Sequence, residues 1–406
     1  MDGSASGKNV VIVGSSFAGL SAALEVRKRL DPVHTVTVLD PRPDFTFIPS
    51  LIWVPFGLRD AKDVTFPLAP LYERKGIRFV NEAAASFDLE GRKVITTSGQ
   101  EIPYDRMMLG TGPRLAFERI PGLGPGDGYT TSVCNLEHAL SAREEWDRFL
   151  EDPGPVVVGT AQGGSCFGAS YEFLFNVAHR VRKAGLADEV PIKFVSAEPF
   201  LGHFGLGGVG NSGEMVEKFF DKLNIEGITN NVIERVEPDT MYLEGGRELP
   251  FKFSMIVPPF SGVDAIKETE GLANPMGFVP VDDEYRHPDI PEVFAAGVDI
   301  AIAPPGETPV PAGVPKTGHM SEKMAEAAAQ NIAADIQGGD RHKLALADLA
   351  AVCVLDAGNS GVIFKAEHVL GDGGTTHVMA GPQAHWAKLA FERYFITSRK
   401  RGITAF

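Results

Sequence analysis

Asn9-Val10-Val11-Ile12-Val13-Gly14-Ser15-Ser16-Phe17-Ala18-Gly19-Leu20 is the stretch that decides the fold. A continuous apolar run ending at glycine reads as a parallel strand buried on both faces, and the turn and helix after it complete a strand-loop-helix unit. The turn has the pattern G-x-S-x-x-G. Gly14 and Gly19 stand where a dinucleotide-binding turn needs them, and Ser16 replaces the middle glycine that lets backbone approach a pyrophosphate. The next strand, Thr35-Val36-Thr37-Val38-Leu39, ends at Asp40, 26 positions after Gly14 (40 minus 14). An acid there is placed to accept hydrogen bonds from an adenosine ribose. Gly14, Ser16, Phe17, Ala18, Gly19 and Asp40 are therefore candidate nucleotide contacts.

With 406 residues the chain is long enough for two or three domains and a full core. Its formal charge of -15 argues against a nucleic-acid partner, because a phosphate backbone attracts Lys and Arg. Three cysteines, Cys134, Cys166 and Cys353, are too few and too odd in number for a secreted disulfide framework, which favours a reducing compartment or a catalytic use. Residues Met1 to Lys8 lack the basic-then-apolar pattern of a signal peptide. No apolar run reaches the ~18 residues of a spanning helix. No metal site is expected.

A second strand-turn unit, Pro155-Val156-Val157-Val158-Gly159-Thr160-Ala161-Gln162-Gly163-Gly164, precedes Cys166, which falls at the start of a helix, where the N-terminal dipole favours thiolate. Glu198, ending the strand from Ile192, stands where a ribose-binding acid would, yet Ala161 crowds the pyrophosphate position and Cys166 occupies the turn. The loop reads as degenerate and repurposed for sulfur. Cys353 lies 187 positions after Cys166 (353 minus 166), so any partnership between the two is tertiary.

Tyr104-Asp105-Arg106-Met107-Met108-Leu109-Gly110-Thr111-Gly112-Pro113 resembles a strand end of two-dinucleotide-domain flavoprotein reductases, and Val293-Phe294-Ala295-Ala296-Gly297-Val298-Asp299 resembles their second flavin motif. The expected fold class is α/β, with two Rossmann-like dinucleotide-binding domains and a C-terminal membrane- and quinone-binding region. The FAD-binding domain is expected in two parts, 1–115 and 290–335. Between them, 116–289 forms the second Rossmann-like domain carrying Cys134 and Cys166, and 336–406 forms the C-terminal region carrying Cys353. Thr111, Gly112, Gly297, Asp299, Lys316, Thr317 and Gly318 join the candidate FAD contacts.

Further blocks carry a more specific resemblance: Phe45 to Ser50 with Trp53 and Gly57, Cys134-Asn135-Leu136-Glu137-His138, Gly163 to Gly168 with Glu172, Glu198 to Gly205, Pro315-Lys316-Thr317-Gly318, Cys353, and Trp386 to Phe395. Along nearly its full length the chain resembles a sulfide:quinone oxidoreductase. That resemblance implies FAD as cofactor, sulfide as electron donor and a membrane quinone as acceptor. It implies that hydrosulfide attacks a sulfur bridge between Cys166 and Cys353, that Cys353 is the flavin-proximal thiolate, and that polysulfide or elemental sulfur is released. It also gives the remaining candidates: Cys134 beside the pair, Glu172 on sulfide-side protons, His138 and His203 on the proton and quinone path, and Phe364, Lys388 and Phe391 at the quinone slot.

From 386 to 406 five cations, Lys388, Arg393, Arg399, Lys400 and Arg401, against Glu392 give +4 in an acidic protein. With Leu389, Phe391, Tyr394, Phe395 and Ile396 the segment reads as an interfacial helix on a lipid bilayer surface, making the protein a peripheral, monotopic membrane protein. An ordinary docking helix is the alternative. An NADH:quinone oxidoreductase, the flavin subunit of a sulfide dehydrogenase and a flavin-bearing signalling protein stay open as activities, and a homo-oligomer stays open as an assembly.

Overall fold

A computed structural model of the protein describes residues 7–368, 370 and 375–404. The first six residues of the stretch read for a leader, and the last two of the tail, lie outside the described residues.

The opening apolar run forms β1 (Asn9–Val13), and the glycine turn delivers the chain into α1 (Phe17–Arg29), whose last turn carries Arg27, Lys28 and Arg29 against the carbonyl end of its dipole. β2 (Thr35–Leu39), β3 (Arg78–Val80) and β4 (Arg106–Leu109) extend the same sheet. The second unit follows: α2 (Leu136–Glu151), capped by the Asn135 side chain, then β5 (Val156–Thr160) and α3 (Phe167–Lys183) with Cys166 at its N-cap. It is completed by β6 (Ile192–Ser196), β7 (Ile225–Ile228) and β8 (Phe253–Val257), in the order β7-β6-β5-β8.

The chain then returns to the first sheet as β9 (Val293–Ala295), giving the order β9-β4-β1-β2-β3. Pairing is parallel throughout both sheets. β9 thus shares a sheet with β1 to β4 although the whole second unit lies between them in sequence. α4 (Gly318–Gln337) follows β9, and its N-cap Thr317 accepts a hydrogen bond from the Met320 amide. Beyond it, β10 (Ala351–Asp356), β11 (Gly361–Ala366) and β12 (Thr376–Ala380) form an antiparallel sheet, closed by α5 (Pro382–Lys400).

The C-terminal sheet is not an independent body. Leu355, Val362 and Phe364 pack in one core cluster with Phe167, Phe173 and Phe194 of the second unit. This is what brings Cys353, midway along β10, onto the helix that begins at Cys166.

Candidate active site

The first glycine loop is a cradle with no room for a side chain at Gly14 or Gly19. Gly14 has φ +98, and a Cβ there would lie 2.2 Å from the Gly110 carbonyl oxygen; one on Gly19 would lie 2.0 Å from that of Gly14. The Ser15 amide donates to Asp40 (2.7 Å), and Arg42 forms a bidentate pair with the same carboxylate at 2.9 Å on each arm. Asp40 is thus shared with Arg42, which sequence reading did not single out. A cavity of about 470 Å³ opens beside this pair, lined by Gly14, Asp40, Arg42, Thr111 and Ala84 among others. Ser16 caps α1 with backbone only, and the first amides of a helix have no intrahelical partner. Phe17 is buried against Phe45 (5.5 Å) and Phe395 (5.1 Å), and Ala18 lies where a Cβ on Gly297 would come within 3.0 Å.

Gly297, Asp299, Thr111 and Gly112 meet at the far end of the cradle. Asp299 accepts from the Thr111 amide (2.7 Å), the Thr111 hydroxyl (3.1 Å) and the Gly112 amide (2.6 Å). Its carboxylate therefore ties the two motifs together. Burial pushes its pKa up to about 7, and Lys316 opposes that shift. Lys316 is itself pushed down to about 8 by burial, and both Asp299 and Cys166 act on it. Its ammonium sits 4.9 Å from the Phe278 ring centroid and lines a second cavity, of about 370 Å³, that reaches Ser165. A Cβ on Gly318 would come 2.8 Å from the Phe17 ring. Close backbone approach, helix amides and an open cavity along these residues fit a dinucleotide such as FAD, which Gly14, Gly19, Asp40, Thr111, Lys316 and Gly318 would hold.

The second loop is closed by the chain itself. The Gly163 amide donates to the Pro311 carbonyl (2.8 Å), and the Gly313 amide donates to that of Gly164 (2.9 Å), so the segment around 311–313 covers the place where a second pyrophosphate would lie. Gln162 is taken up by the backbone of Ile233. Glu198, the expected ribose acid, is fully buried and accepts from Tyr171 Oη (2.9 Å), Ser196 Oγ (2.7 Å) and the Phe204 amide (2.6 Å). It organises the 199–205 loop rather than offering itself to a ribose, which corrects that part of the sequence reading.

Three cysteines stand half-buried as free thiols. Cys166 is within electrostatic reach of Cys134, Cys353 and Lys316. The Cys353 sulfur lies 3.5 Å from where a Cβ on Gly168 would be, directly above the first turn of α3. Burial pushes the Cys166 thiol up to about 12 and does the same to Cys353, while Cys134 is raised to about 11. Desolvation is the largest influence on all three thiols.

Glu172 and Lys388 are joined. Lys388 is buried and donates to Glu172 Oε1, which also accepts from the Asp356 amide at 2.8 Å. Burial raises Glu172 to about 7 against the pull of Lys388. Lys388 is thus an inner ion-pair partner near Cys353, which corrects its place among the exposed cations of the tail. Arg399 is likewise buried, against Glu322. The exposed cations of α5 and its end are then Arg393, Lys400 and Arg401, beside Trp386 at 68% exposure and Tyr394 at 47%. Phe391 is half-buried 5.8 Å from Phe47. Phe364 is buried as the register partner of Cys353 and meets Phe204 edge-on at 5.8 Å.

The two histidines sit apart from this cluster's ion pairs. His138, on the first turn of α2, packs edge-on against Phe117 with its Nδ1 buried, and burial lowers its pKa. His203 is buried, accepts the Gly205 amide on Nδ1 (3.1 Å) and is also lowered by burial. Sequence reading missed Asp356, Asn176 and His385. Asp356 accepts from Trp53 Nε1 (2.9 Å) and His385 Nδ1 (2.6 Å), and Asn176 Nδ2 donates to the Asp356 carbonyl (2.9 Å). The available signal was an acid closing an apolar strand, Val352 to Leu355, three positions after a cysteine.

Residues 8–329 match the family model described as pyridine nucleotide-disulphide oxidoreductase. A sulfide-quinone reductase of Aquifex aeolicus (strain VF5) is 37% identical over 97% of this chain and 92% of its own length. The crystal structure of the sulfide:quinone oxidoreductase from that bacterium superposes with a TM-score of 0.93, covering 98% of this chain and 93% of that one. An NADH dehydrogenase-like protein of Mycobacterium tuberculosis is 26% identical over 87% of each chain. The chain belongs to the pyridine nucleotide-disulphide oxidoreductases and, within them, to the sulfide-quinone reductases.

Proposed function

We propose that the protein oxidises sulfide and passes the two electrons to a quinone, with FAD as its redox cofactor and sulfur held on Cys166 and Cys353. The observation that carries this reading is the meeting of three cysteines at the start of α3 in a chain whose second nucleotide loop is closed by its own backbone. Bound in the first cradle, FAD supplies a two-electron acceptor for the sulfide side and a donor for the quinone side. Hydrosulfide attack on a bridge between Cys166 and Cys353 forms one S–S bond as it breaks another, leaving a persulfide on one cysteine and a thiolate on the other. Each thiol has an ammonium that favours its anion, Lys316 for Cys166 and Lys388 for Cys353. Glu172, raised by burial to about 7, is the nearby carboxyl able to hold a proton at neutral pH. His138 and His203, whose pKa values burial lowers, are assigned to proton transfer, and Cys134 to sulfur handling beside the pair.

Quinone contact is assigned to Phe391 and Lys388 of α5, with Phe364 of the C-terminal sheet. We place the protein at a membrane surface through Trp386, Tyr394, Arg393, Lys400 and Arg401. Among the described residues no helix is long and apolar enough to cross a membrane. The test is turnover with a water-soluble quinone. Sulfide-driven reduction that is lost in both Cys166→Ser and Cys353→Ser supports the reading, and NADH-driven reduction without a sulfide response overturns it.

A further inference from the structure

The two cysteines of the pair come from elements far apart in sequence, so something must set their separation. The hydrophobic contact of β10 with α3 holds the two together but does not fix register along the helix. Directional contacts do that. Two cross from α3 to β10, and both are buried. Asn176, fully buried, donates from Nδ2 to the Asp356 carbonyl (2.9 Å) and to its own helix at the Glu172 carbonyl (2.9 Å). The Asp356 amide returns a bond to Glu172 Oε1 (2.8 Å). Asp356, also fully buried, is pinned from outside by Trp53 Nε1 (2.9 Å) and His385 Nδ1 (2.6 Å). The strand is thereby clamped three residues from Cys353, and the helix is clamped at two points within three turns of Cys166.

We propose that Asn176 and Asp356 are positioning residues that set the spacing of Cys166 and Cys353, a brace whose purpose is the sulfur bridge rather than the stability of the fold. The inference rests on the reading of Cys166 and Cys353 as the relay pair. Its physical content is an effective concentration. Two thiols held at a bridging distance form a disulfide more readily than the same thiols allowed to drift, and that preference is read directly as a reduction potential. The oxidation is a two-electron exchange in which two thiols become one disulfide while glutathione disulfide becomes two glutathione thiols.

The experiment equilibrates the flavin-loaded protein anaerobically in glutathione redox buffers and measures the Cys166–Cys353 crosslink by peptide mass spectrometry. Asn176→Ala removes both donor bonds. It is expected to lower the effective concentration about tenfold, raising the potential of the pair by about 30 mV. Trp53→Phe keeps an aromatic ring in the core but removes the indole bond to Asp356 Oδ2, leaving that oxygen only the Gly358 amide (3.2 Å), and is expected to lower the effective concentration about threefold, moving the potential the same way. This second variant carries the test if Asn176→Ala does not fold. A crosslink of unchanged potential in a folded variant overturns the brace while leaving the relay intact. Absence of any Cys166–Cys353 crosslink in the unaltered protein overturns both.

Discussion

Lys388 of the C-terminal helix is buried against Glu172 of the Cys166 helix, and the pair lies beside Cys353. The residue read for sulfide-side protons and one read for the quinone slot are therefore direct partners. Removing one partner leaves the other charge uncompensated in the interior. Lys388→Met is expected to destabilise the protein by about 3–5 kcal/mol in urea denaturation, and Glu172→Gln combined with it by clearly less than the sum of the single changes. Additive effects would mean that the pair is not coupled.

The cradle predicts its own failure. Gly19→Val drives a side chain into the Gly14 carbonyl, where even a Cβ would lie at 2.0 Å, and Asp299→Ala releases Thr111 and Gly112. Both are expected to lower flavin content per mole of purified protein. Full occupancy in both would remove the cofactor assignment.

Thiol reactivity should rise steeply with pH. Burial raises Cys166 and Cys353 to about 12 and Cys134 to about 11, so the reactive thiolate is scarce at neutral pH and grows about tenfold per pH unit. Alkylation of the reduced protein by iodoacetamide, resolved by peptide, is expected to be slow at pH 7 and still rising above pH 9, with Cys134 ahead of the other two. A plateau near neutrality at Cys166 would show that the helix terminus prevails over desolvation.

Membrane attachment is expected to depend on the outer face of α5 alone. Trp386→Ser with Arg393→Glu and Lys400→Glu should reduce binding to anionic vesicles, most at low salt where the attraction is unscreened, with thermal stability unchanged within about 0.5 kcal/mol. Removing the helix from Trp386 onward is a different experiment, since it also takes away buried Lys388, Phe395 and Arg399, and it should unfold the protein. Equal vesicle binding by the substituted protein would leave α5 as a docking helix only.

What could be read in advance was local. Gly14, Gly19 and Asp40 lie within one strand-turn-helix-strand unit whose geometry dictates their spacing, and the motifs ending at Gly112 and Asp299 are as compact. The meeting of Cys166 and Cys353 needed a resemblance, because 187 positions of intervening chain carry no spacing rule. Charge on α5 misled for a physical reason. Lys388 and Arg399 count as surface cations in a linear tally, but their acids, Glu172 and Glu322, lie on other helices. Glu198 misled similarly, because a strand-end acid points toward a ribose only if the loop beyond leaves space, and here Phe204 turns back onto it. Asn176 had no motif to announce it, and Asp356 only its place at the end of an apolar strand.

The most direct test of the central claim is anaerobic mixing of the flavin-loaded protein with sulfide and, separately, with NADH, following the flavin's visible absorbance. The account predicts rapid bleaching by sulfide, its loss in Cys353→Ser and Cys166→Ser with flavin still bound, a milder effect of Cys134→Ser, and little response to NADH. Rapid bleaching by NADH with none by sulfide would contradict it.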